Sequence, residues 1–524
     1  MTAIRSRKRT RSRFVEVLQK PKGVIHPRVQ KVGPERFGIV SVDCAKARCK
    51  WMLCDFYGNV LIPPTVVALN RNDIQAAIQR LREALARHGI LDQLVAIERT
   101  GRYHHFIRDA FAAAGYEVRL VHPFATSRFR QPSDPGIKTD DVDMAAIHCA
   151  TANGFALSEP PLDETWTILQ LRVRQRRDLV CKSSQLCCQI REHLDACLPG
   201  LASCFEDQLW DSPVAWALIQ QFTSPQAVQQ AGLEGLQSCL GQAHLRYQQR
   251  TLHKVLAWAA AAATPEKAAL THHAIARALN EDRLRKTQEI QALESELAGR
   301  LARTPYIRLL SVPGINIISA ADLAGEMGPI EHYLNARAIT GRAGLRPSRR
   351  QSDEVDHPNG RLVRCANRRL RAALMWIAEN LVICNQYFRA LAGRWRAAGK
   401  DPRHTCVRVA SRFSRIAYQI VAGGHVCRHP GMQQPSYILE KLLKFHAEHG
   451  TVTAQALADL QAAADQIPKS AHIGEAVPLT ELLRKLEHGR KRGPTAIGDI
   501  IPIVLARLGV RLLQSTASGE ADSH

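Results

Sequence analysis

Long hydrophobic runs are missing from this chain. The longest apolar stretch lies near Val255 to Ala263, which is far shorter than the roughly 20 residues that a membrane-spanning helix needs. The opening residues, "MTAIRSRKRTRSRF", carry basic side chains but no apolar segment of the kind found in a secretory signal. The sequence therefore predicts a cytoplasmic protein.

Cysteine pairs with the spacing of zinc ligands are also missing. The 14 cysteines are scattered along 524 residues, and no two are spaced as C-x-x-C. A disulfide framework is typical of small secreted domains rather than of a long helical chain. Cys181, Cys188 and Cys197 are therefore interpreted as reduced, small apolar side chains.

Acidic residues are scarce. The chain has 48 Asp and Glu against 71 Lys and Arg, a formal net charge of +23 and a pI near 9.8. This imbalance makes a polyanion, and first of all nucleic acid, the expected partner. Residues 1–31 carry ten Lys or Arg and a single acid, Glu16, so the basic arm over residues 1–35 either contacts phosphates or merely keeps the chain soluble.

Several recognisable motifs are absent. The sequence has no G-x-x-x-x-G-K-[ST] loop, so ATP is not indicated. It also has no zinc finger or basic zipper, the motifs that commonly read bases in a DNA groove. A nucleic-acid partner would then have to be recognised by other means.

From Phe37 onward, short apolar runs predict β-strands. "FGIVSVDCA" and "WMLCDFYGNVLI" are predicted strands, and with a turn at Gly58 the domain is predicted to open with a hairpin. "DIQAAIQRLREALARHG" has helical spacing and ends at Gly89. Two further strands, "QLVAIE" and "YEVRLVHP", flank the helical "HHFIRDAFAAAG". The alternation predicts an α/β sheet domain over residues 36–158.

Beyond Thr165 helical periodicity replaces the strands. Two apolar stripes predict an antiparallel coiled coil over residues 159–303 with a helical insert at its tip, near residues 200–265. The stripe residues are Leu186, Ile190, Leu194 and Cys197 in one segment and Ile290, Leu293, Leu297 and Leu301 in the other. Packing within one chain and dimerisation are both compatible with this pattern.

The segment 304–430 begins with "LLSVPGINIISAADLAGEMG", which has the pattern of a helix-hairpin-helix turning at Pro313-Gly314. Arg337 to Arg371 then contains ten arginines and only three acids. Arginine binds phosphate in a bidentate manner, so this segment predicts nucleic-acid contact. Residues 431–524 are predicted to form a helical extension with a disordered end, and no chemistry can be read from them.

Four carboxylates stand out in this basic chain. Asp43 and Glu98 each end an apolar strand, where a charge is costly unless a cation offsets it. Asp140 and Asp143 are three residues apart and share a face if a helix starts after Thr139, whereas Asp141 points elsewhere. Acids at a capped helix start are also ordinary, with Thr139 as the cap. Together the four predict a site for two Mg²⁺ ions, with Mn²⁺ as an alternative.

The chain resembles a known family. "GIVSVDCAK", "AIERTGRYHHFI", "VHP", "KTDDVDMAAI", "SVPGI", "AITGRAGLRPSRRQSD" and "NRRLRAAL" resemble, in this order, motifs of the DEDD transposases of insertion-sequence family one-ten. The resemblance runs from about residue 37 to about 425. It implies an α/β RuvC-like (RNase H-type) domain joined through a mostly α-helical coiled coil to a serine-bearing C-terminal transposase domain over 304–430.

The resemblance also implies site residues. Asp43, Glu98, Asp140 and Asp143 become the catalytic, metal-binding tetrad, and Ser352 becomes the nucleophile that forms a phosphoserine link. The family pattern has Gly after this serine, whereas this chain has Asp353, and Ser348 is the reserve candidate. The arginines expected to contact nucleic acid, two of them beside the serine, are Arg346, Arg349, Arg350, Arg364, Arg368 and Arg369.

The implied partners are donor and target DNA and a noncoding bridge RNA, which would carry sequence specificity by base pairing. The family also implies a homodimer that assembles to a homotetramer, working on the nucleoid of a prokaryote. Two alternatives use fewer of these features. One is a RuvC-like metal-dependent nuclease or Holliday-junction resolvase, and the other is a catalytically silent nucleic-acid-binding protein.

Overall fold

The computed structural model describes residues 22–130, 139–160, 162–348, 350–352, 355–357, 360–363, 366–427 and 436–467. The chain divides into two units, Met1–Pro161 and Leu162–His524. Most of the predicted basic arm and the end of the predicted extension lie outside the described residues.

A six-stranded sheet forms the centre of the first unit. Its strands are Phe37–Cys44 (β1), Arg48–Asp55 (β2), Val60–Ala68 (β3), Asp92–Glu98 (β4), Val118–Val121 (β5) and Ala156–Leu157 (β6). Their order is β3-β2-β1-β4-β5-β6. Strand β2 runs antiparallel to its two neighbours, β1 and β3. Strands β4 and β5 run parallel to β1, and β6 is antiparallel to β5. This mixed sheet is compatible with the RuvC-like domain that the sequence predicts.

The start of the domain is a meander of three strands and not a single hairpin. The turn at Gly58, whose φ is +98°, joins β2 to β3, and β3 continues to Ala68. Val60 and Val66 on β3 are exposed, and Pro63 and Pro64 interrupt its apolar run. Such a strand can lie at an edge of the sheet, where β3 is found, and its apolar pattern is therefore weak.

Helices cover both faces of the sheet. They are His26–Val32 (α1), Arg71–Arg87 (α2), His104–Ala113 (α3), Pro123–Arg130 (α4) and Asp140–Ala152 (α5). Val42 and Ile97 face the core shared with α2 and α3. Ala96 faces the opposite way, toward Ile147 of α5. Strands covered on both faces have nearly continuous apolar sequences, as β1 does.

The second unit is mainly helical. Its helices are Glu164–Cys197 (α6), Pro213–Gln221 (α7), Pro225–Gln242 (α8), Gln249–Ala261 (α9), Ala269–Ala302 (α10), Ile317–Met327 (α11), Ala336–Ala343 (α12), Arg368–Cys384 (α13), Gln386–Ala397 (α14), Pro402–Ala422 (α15), Ser436–Glu448 (α16) and Thr453–Gln466 (α17). A short antiparallel pair, Arg350–Ser352 (β7) and Val355–His357 (β8), lies between α12 and α13.

The two longest helices, α6 and α10, pack against each other in opposite directions. Arg172 pairs with Glu296 near one end, and His193 contacts His272 near the other. The predicted apolar stripes, however, do not face each other. Ile190 belongs to the core of the insert formed with α7, α8 and α9, whereas Leu297 belongs to the core built around α11. An antiparallel arrangement sets the second half of each helix against the first half of its partner, so the prediction that these stripes pair was wrong.

The predicted helix-hairpin-helix differs from the structure in its first half. Pro305–Ser311 is a 3₁₀ helix, and only α11 after the turn is an α-helix. Asn316 and Ser319 form a capping box that satisfies backbone N–H groups at the start of α11. The capped N–H groups weaken the expectation that this turn binds a phosphate.

The C-terminal helices α16 and α17 belong to the same core as the preceding helices. Ile438 and Leu442 of α16 are fully buried among residues of α11 and α15. The Lys441 ammonium donates to the carbonyls of Leu310 (3.0 Å) and Ile315 (2.7 Å), on either side of the Pro313-Gly314 turn. The described part of the extension is thus an integral layer of the second unit.

Among the described residues, no helix is long and apolar enough to cross a membrane. The cysteines in the described segments are all free, and many of them are buried. The interpretation of Cys197 as a reduced apolar side chain is therefore confirmed for this residue, which is fully buried.

Candidate active site

Asp43 and Glu98 lie at the ends of adjacent parallel strands. The last paired positions of β1 and β4 are Val42 and Ile97, and the two acids follow them directly. Alternation along a strand places Asp43 on the same face as Ser41, and Glu98 on the same face as Ala96. Ser41 and Ala96 are register partners, so both carboxylates extend from the sheet face that α5 covers.

The start of α5 brings Asp143 to this edge of the sheet. The Thr139 hydroxyl accepts a hydrogen bond from the Val142 N–H (3.3 Å) and caps the helix. Asp143 is only 5% exposed, whereas Asp140, one turn earlier, is exposed. Met144 and Ile147 anchor the helix on the sheet. The cap and the apolar face together fix where the acids project.

The electrostatics of Glu98 indicate that three acids converge. Burial raises the pKa of Glu98, the nearby Thr126 hydroxyl lowers it, and the charges of Asp43 and Asp143 raise it further, while Arg130 lowers it. Like charges interact strongly only at short range in a partly buried setting. The pKa of Glu98 is therefore raised mainly by burial, and the smaller contributions of Asp43 and Asp143 indicate that all three acids lie in the same region of the domain.

Two cations accompany the acids. Arg130, the last residue of α4, forms an ion pair with Asp143 Oδ1. Lys50 lies directly across the β1–β2 ladder from Asp43 and pairs with Asp141. Asp141, which the sequence analysis set apart from the tetrad, is exposed. Sequence reasoning missed both cations, although the position of Lys50 in the second strand of a hairpin could have placed it opposite Asp43.

The donor set suits a hard divalent cation. Asp143 Oδ1 is buried and, despite its ion pair with Arg130, receives no hydrogen bond of good geometry within the described chain. Oxygen ligands of this kind are those that Mg²⁺ and Mn²⁺ prefer. Among the described residues, no three His, Cys, Asp or Glu side chains are close enough to hold one ion together. Mg²⁺ usually needs only one or two carboxylates, with waters and substrate phosphates completing its shell.

The predicted serine lies in the second unit. Ser352 ends β7, and its backbone pairs with Val355 of β8. Asp353, Arg349 and Arg364 lie outside the described residues. The backbone of Ser352 therefore sits at the end of the first strand of a short antiparallel pair.

The reserve candidate, Ser348, is held by backbone hydrogen bonds to residues 360 and 361. Its N–H donates to the Arg361 carbonyl (2.9 Å), and its own carbonyl accepts from the Gly360 N–H (2.9 Å). A Cβ atom on Gly360 would lie 2.4 Å from the Ser348 hydroxyl oxygen, so a glycine is required there. Ser348 is exposed.

Three of the arginines predicted to contact nucleic acid are described and exposed: Arg346, Arg368 and Arg369. Arg368 and Arg369 begin α13, whose N-terminus is capped by the Asn367 side chain. Arg371, one residue further, points inward and donates to the carbonyls of Ala343 and Val363. It ties the segment after the hairpin to the end of α12.

Sequence reasoning missed a buried ionic cluster beside this segment. Glu326 of α11 is fully buried and accepts two hydrogen bonds from Arg174 of α6. Asn367 also reaches Glu326 (3.5 Å). The i, i+4 spacing of Asp322 and Glu326 within an otherwise apolar helix was the available signal, because such acids must be paired when buried.

Comparisons with known proteins agree with this geometry. A DEDD transposase model of the IS110 family matches residues 40–199, and a model of the transposase IS116/IS110/IS902 family matches residues 306–392. The first match contains the four acids, and the second contains Ser352. A relative from Streptomyces coelicolor, "Insertion element IS110 uncharacterized 43.6 kDa protein", is 24% identical over 314 residues, which is 59% of this chain and 77% of the relative.

The acids gathered at one edge of an α/β sheet and the two matches in consecutive parts of the chain lead to one conclusion. Both parts of the chain match models of IS110-family transposases, which supports a DEDD transposase of this family and indicates a DNA transposase/recombinase enzyme.

Proposed function

We propose that the protein catalyses RNA-guided cleavage and exchange of DNA strands, with a divalent cation on the acidic tetrad and Ser352 as the nucleophile. The observation that carries the proposal is the convergence of Asp43, Glu98 and Asp143 on one face of the sheet. The charges of Asp43 and Asp143 both act on Glu98, and a bound cation would offset this repulsion. The family match supports the DNA substrate.

The tetrad would act by binding and positioning. Asp43 and Glu98 are fixed by the sheet, and Asp143 is fixed by the capped start of α5. Rigid supports of this kind hold ligands in place before the substrate arrives. Bound Mg²⁺ or Mn²⁺ supplies Lewis-acid polarisation of the phosphodiester. Asp140, exposed at the first helical position, would complete the set from the solvent side.

The serine step exchanges one phosphodiester for another. The Ser352 oxygen would attack phosphorus, forming a phosphoserine bond as the bond to one deoxyribose oxygen breaks. The serine hydroxyl gives up its proton, and the leaving oxygen takes one up. A hydroxyl of the second strand then reverses the step on the new partner. Because each bond formed resembles the bond broken, no nucleotide hydrolysis is needed.

The proposed partners are donor DNA, target DNA and a bridge RNA, bound by a homodimer that assembles to a tetramer. The net charge of +23 supports several polyanionic partners at once, since each bound strand brings many phosphates. Base pairing by an RNA would supply specificity, in keeping with a sequence that has no groove-reading motif.

A covalent-adduct assay tests the proposal. Purified protein with Mg²⁺, copurifying RNA and labelled donor and target DNA should give a DNA–protein adduct that survives denaturation. Ser352→Ala should abolish the adduct, and Ser348→Ala should retain it because Ser348 is only the reserve candidate. An adduct lost in Ser348→Ala alone would move the nucleophile to Ser348.

The same assay separates the two alternatives. Hydrolytic nicking of a four-way junction that survives Ser352→Ala would indicate a RuvC-like nuclease using the acids alone. Binding without cleavage under any divalent cation would indicate a silent binding protein. Sequencing the RNA that copurifies with the protein tests the guide: one defined noncoding species is expected, and random cellular RNA would contradict the RNA-guided part.

A further inference from the structure

A strongly basic surface lies on helices α14 and α15, beyond the arginine-rich segment that the sequence singled out. Between Gln386 and Arg415 the chain has eight Lys or Arg and one acid, Asp401. The matched family region ends at residue 392, so most of this surface lies outside it.

The arginines of α15 form one solvent-facing row. Arg408, Arg412 and Arg415 are spaced four and three residues apart and are all exposed. This spacing places them on one helix face, spanning roughly 10 Å along the axis. The opposite face of the helix, which includes Val409 and Phe413, is fully buried. The row therefore cannot turn inward.

Aromatic side chains, not carboxylates, hold two of these arginines. The Arg408 guanidinium lies over the Trp395 ring at 5.7 Å, and Arg412 Nε donates to the Tyr387 hydroxyl (3.2 Å). Arg415 forms no ion pair with any carboxylate in the part of the chain that the structure describes. Contacts with a ring or a hydroxyl orient a guanidinium without neutralising it.

The helix pair α6–α10 provides a contrast within the same unit. Three of its bases are each matched by an acid one turn away: Lys182 with Asp178, Arg285 with Asp282, and Lys286 with Glu289. Those charges form an ordinary solvated surface. The α15 row differs because its charges are oriented but left uncompensated.

We infer that Arg408, Arg412 and Arg415 form a binding surface for a nucleic-acid phosphodiester backbone. Oriented, uncompensated guanidinium groups bind phosphate through bidentate hydrogen bonds and release condensed counterions. The inference deepens the proposed function by assigning a backbone-contacting surface, and it rests on that function only for the identity of the nucleic acid. DNA and RNA present the same phosphate chemistry, so the test has one arm for each.

Salt-dependent binding by the full-length protein tests the inference. The probes are a random-sequence DNA duplex and an RNA of the same length, each titrated at several salt concentrations. The triple variant Arg408→Gln, Arg412→Gln and Arg415→Gln should bind at least one probe about tenfold or more weakly, with the slope of log K against log salt reduced by roughly 2 to 3. Loss with DNA alone or RNA alone identifies the source of the phosphates.

A matched control removes the same charge elsewhere. The variant Lys182→Gln, Arg285→Gln and Lys286→Gln should keep the wild-type slope, because each of its bases is already neutralised. Equal losses in both variants, or an unchanged slope in the Arg408, Arg412 and Arg415 variant, would overturn the inference. The single variant Arg415→Glu changes only one exposed residue and should fold even if the triple variant does not. It should still bind the nucleic-acid probes more weakly than the wild type.

Failure here and failure of the proposed function give different results. If the wild type forms no Ser352-dependent adduct but the arginine variant still loses affinity, the surface stands and the catalytic proposal falls. If the adduct forms and the variant binds as tightly as the wild type, the surface is wrong and the catalytic proposal stands.

Discussion

Arg174 and Glu326 form a two-point hydrogen-bonded pair between α6 and α11, with Nε–Oε1 and Nη2–Oε2 distances of 3.0 and 3.1 Å. The Glu326 carboxylate is fully buried, while Arg174 is partly exposed. Two parallel bonds of this kind fix the relative position of two helices. Asn367 touches the same carboxylate and caps α13.

Glu326→Gln should destabilise the second unit. The amide cannot accept both guanidinium bonds, so one N–H of the partly exposed Arg174 loses its buried partner at a cost of about 1 to 3 kcal/mol. Urea unfolding followed by circular dichroism measures this as a lower midpoint with an unchanged slope. Asp178→Asn, which breaks the exposed pair with Lys182, serves as the control and should leave the midpoint unchanged. Equal stability of both variants would contradict a structural role for the buried pair.

Asp143→Asn should remove divalent-cation-dependent DNA cleavage, whereas Asp141→Asn should retain it. Asp143 is buried beside Glu98, but Asp141 points outward and pairs with Lys50. Losing one metal ligand removes several kcal/mol of transition-state stabilisation, which is about 100-fold or more in rate. Single-turnover cleavage across a Mn²⁺ titration measures the effect. A larger loss of cleavage in Asp141→Asn than in Asp143→Asn would show that Asp141, and not Asp143, is the metal ligand.

Docking of α16 should weaken as pH rises above neutrality. His449 Nε2 lies 2.9 Å from Glu294 Oε2, and this hydrogen bond raises the pKa of His449 despite its burial. Burial raises the pKa of Glu294, but the bond from His449 and the charge of Arg176 outweigh it, so the net pKa is lowered. A raised histidine pKa gives stabilisation that is complete below about 6.5 and is lost as pH rises through the folded value.

Glu294 makes the contact with His449 weaken at low pH as well. Its lowered pKa gives stabilisation that is present above about 4.3 and is lost as pH falls through the folded value. The pair should therefore be strongest between about pH 4.3 and 6.5. Hydrogen-exchange protection factors of α16 and α17, which correct the observed rates for the pH dependence of intrinsic amide exchange, should be highest in that window and lower at pH 8. His449→Gln should flatten the profile, whereas His253→Gln, at an exposed site, should not.

The sheet and the acids were largely predictable, because both follow from short-range pattern. The buried strand "FGIVSVDC" has an almost unbroken apolar sequence, so its end at Asp43 could be located directly. Thr139 and the acids after it are a helix-start signal that the structure contains as a cap. Parallel pairing of β1 and β4 then brings Asp43 and Glu98 together without further information.

Other features depend on tertiary contacts that the sequence pattern does not contain. The stripes ending at Cys197 and Leu301 have helical spacing, but only the direction of packing decides which residues they meet. Arg130 reaches Asp143 because α4 and α5 lie side by side. The assignment of Ser352 came from family resemblance alone, since nothing in its immediate sequence distinguishes it from a surface serine.

Lys441 carries a consequence for how chains of this kind can be shortened. Its ammonium serves the peptide oxygens flanking the Pro313-Gly314 bend, and the bend oxygens of Pro313 and Gly314 are served by Asn385 and Asn380. In a homologue that ends before α16, water or a free cation would have to replace Lys441 at the Leu310 and Ile315 carbonyls. Helices α16 and α17 are therefore a structural part of the second unit, and removing them would remove the Lys441 ammonium from the carbonyls beside the bend.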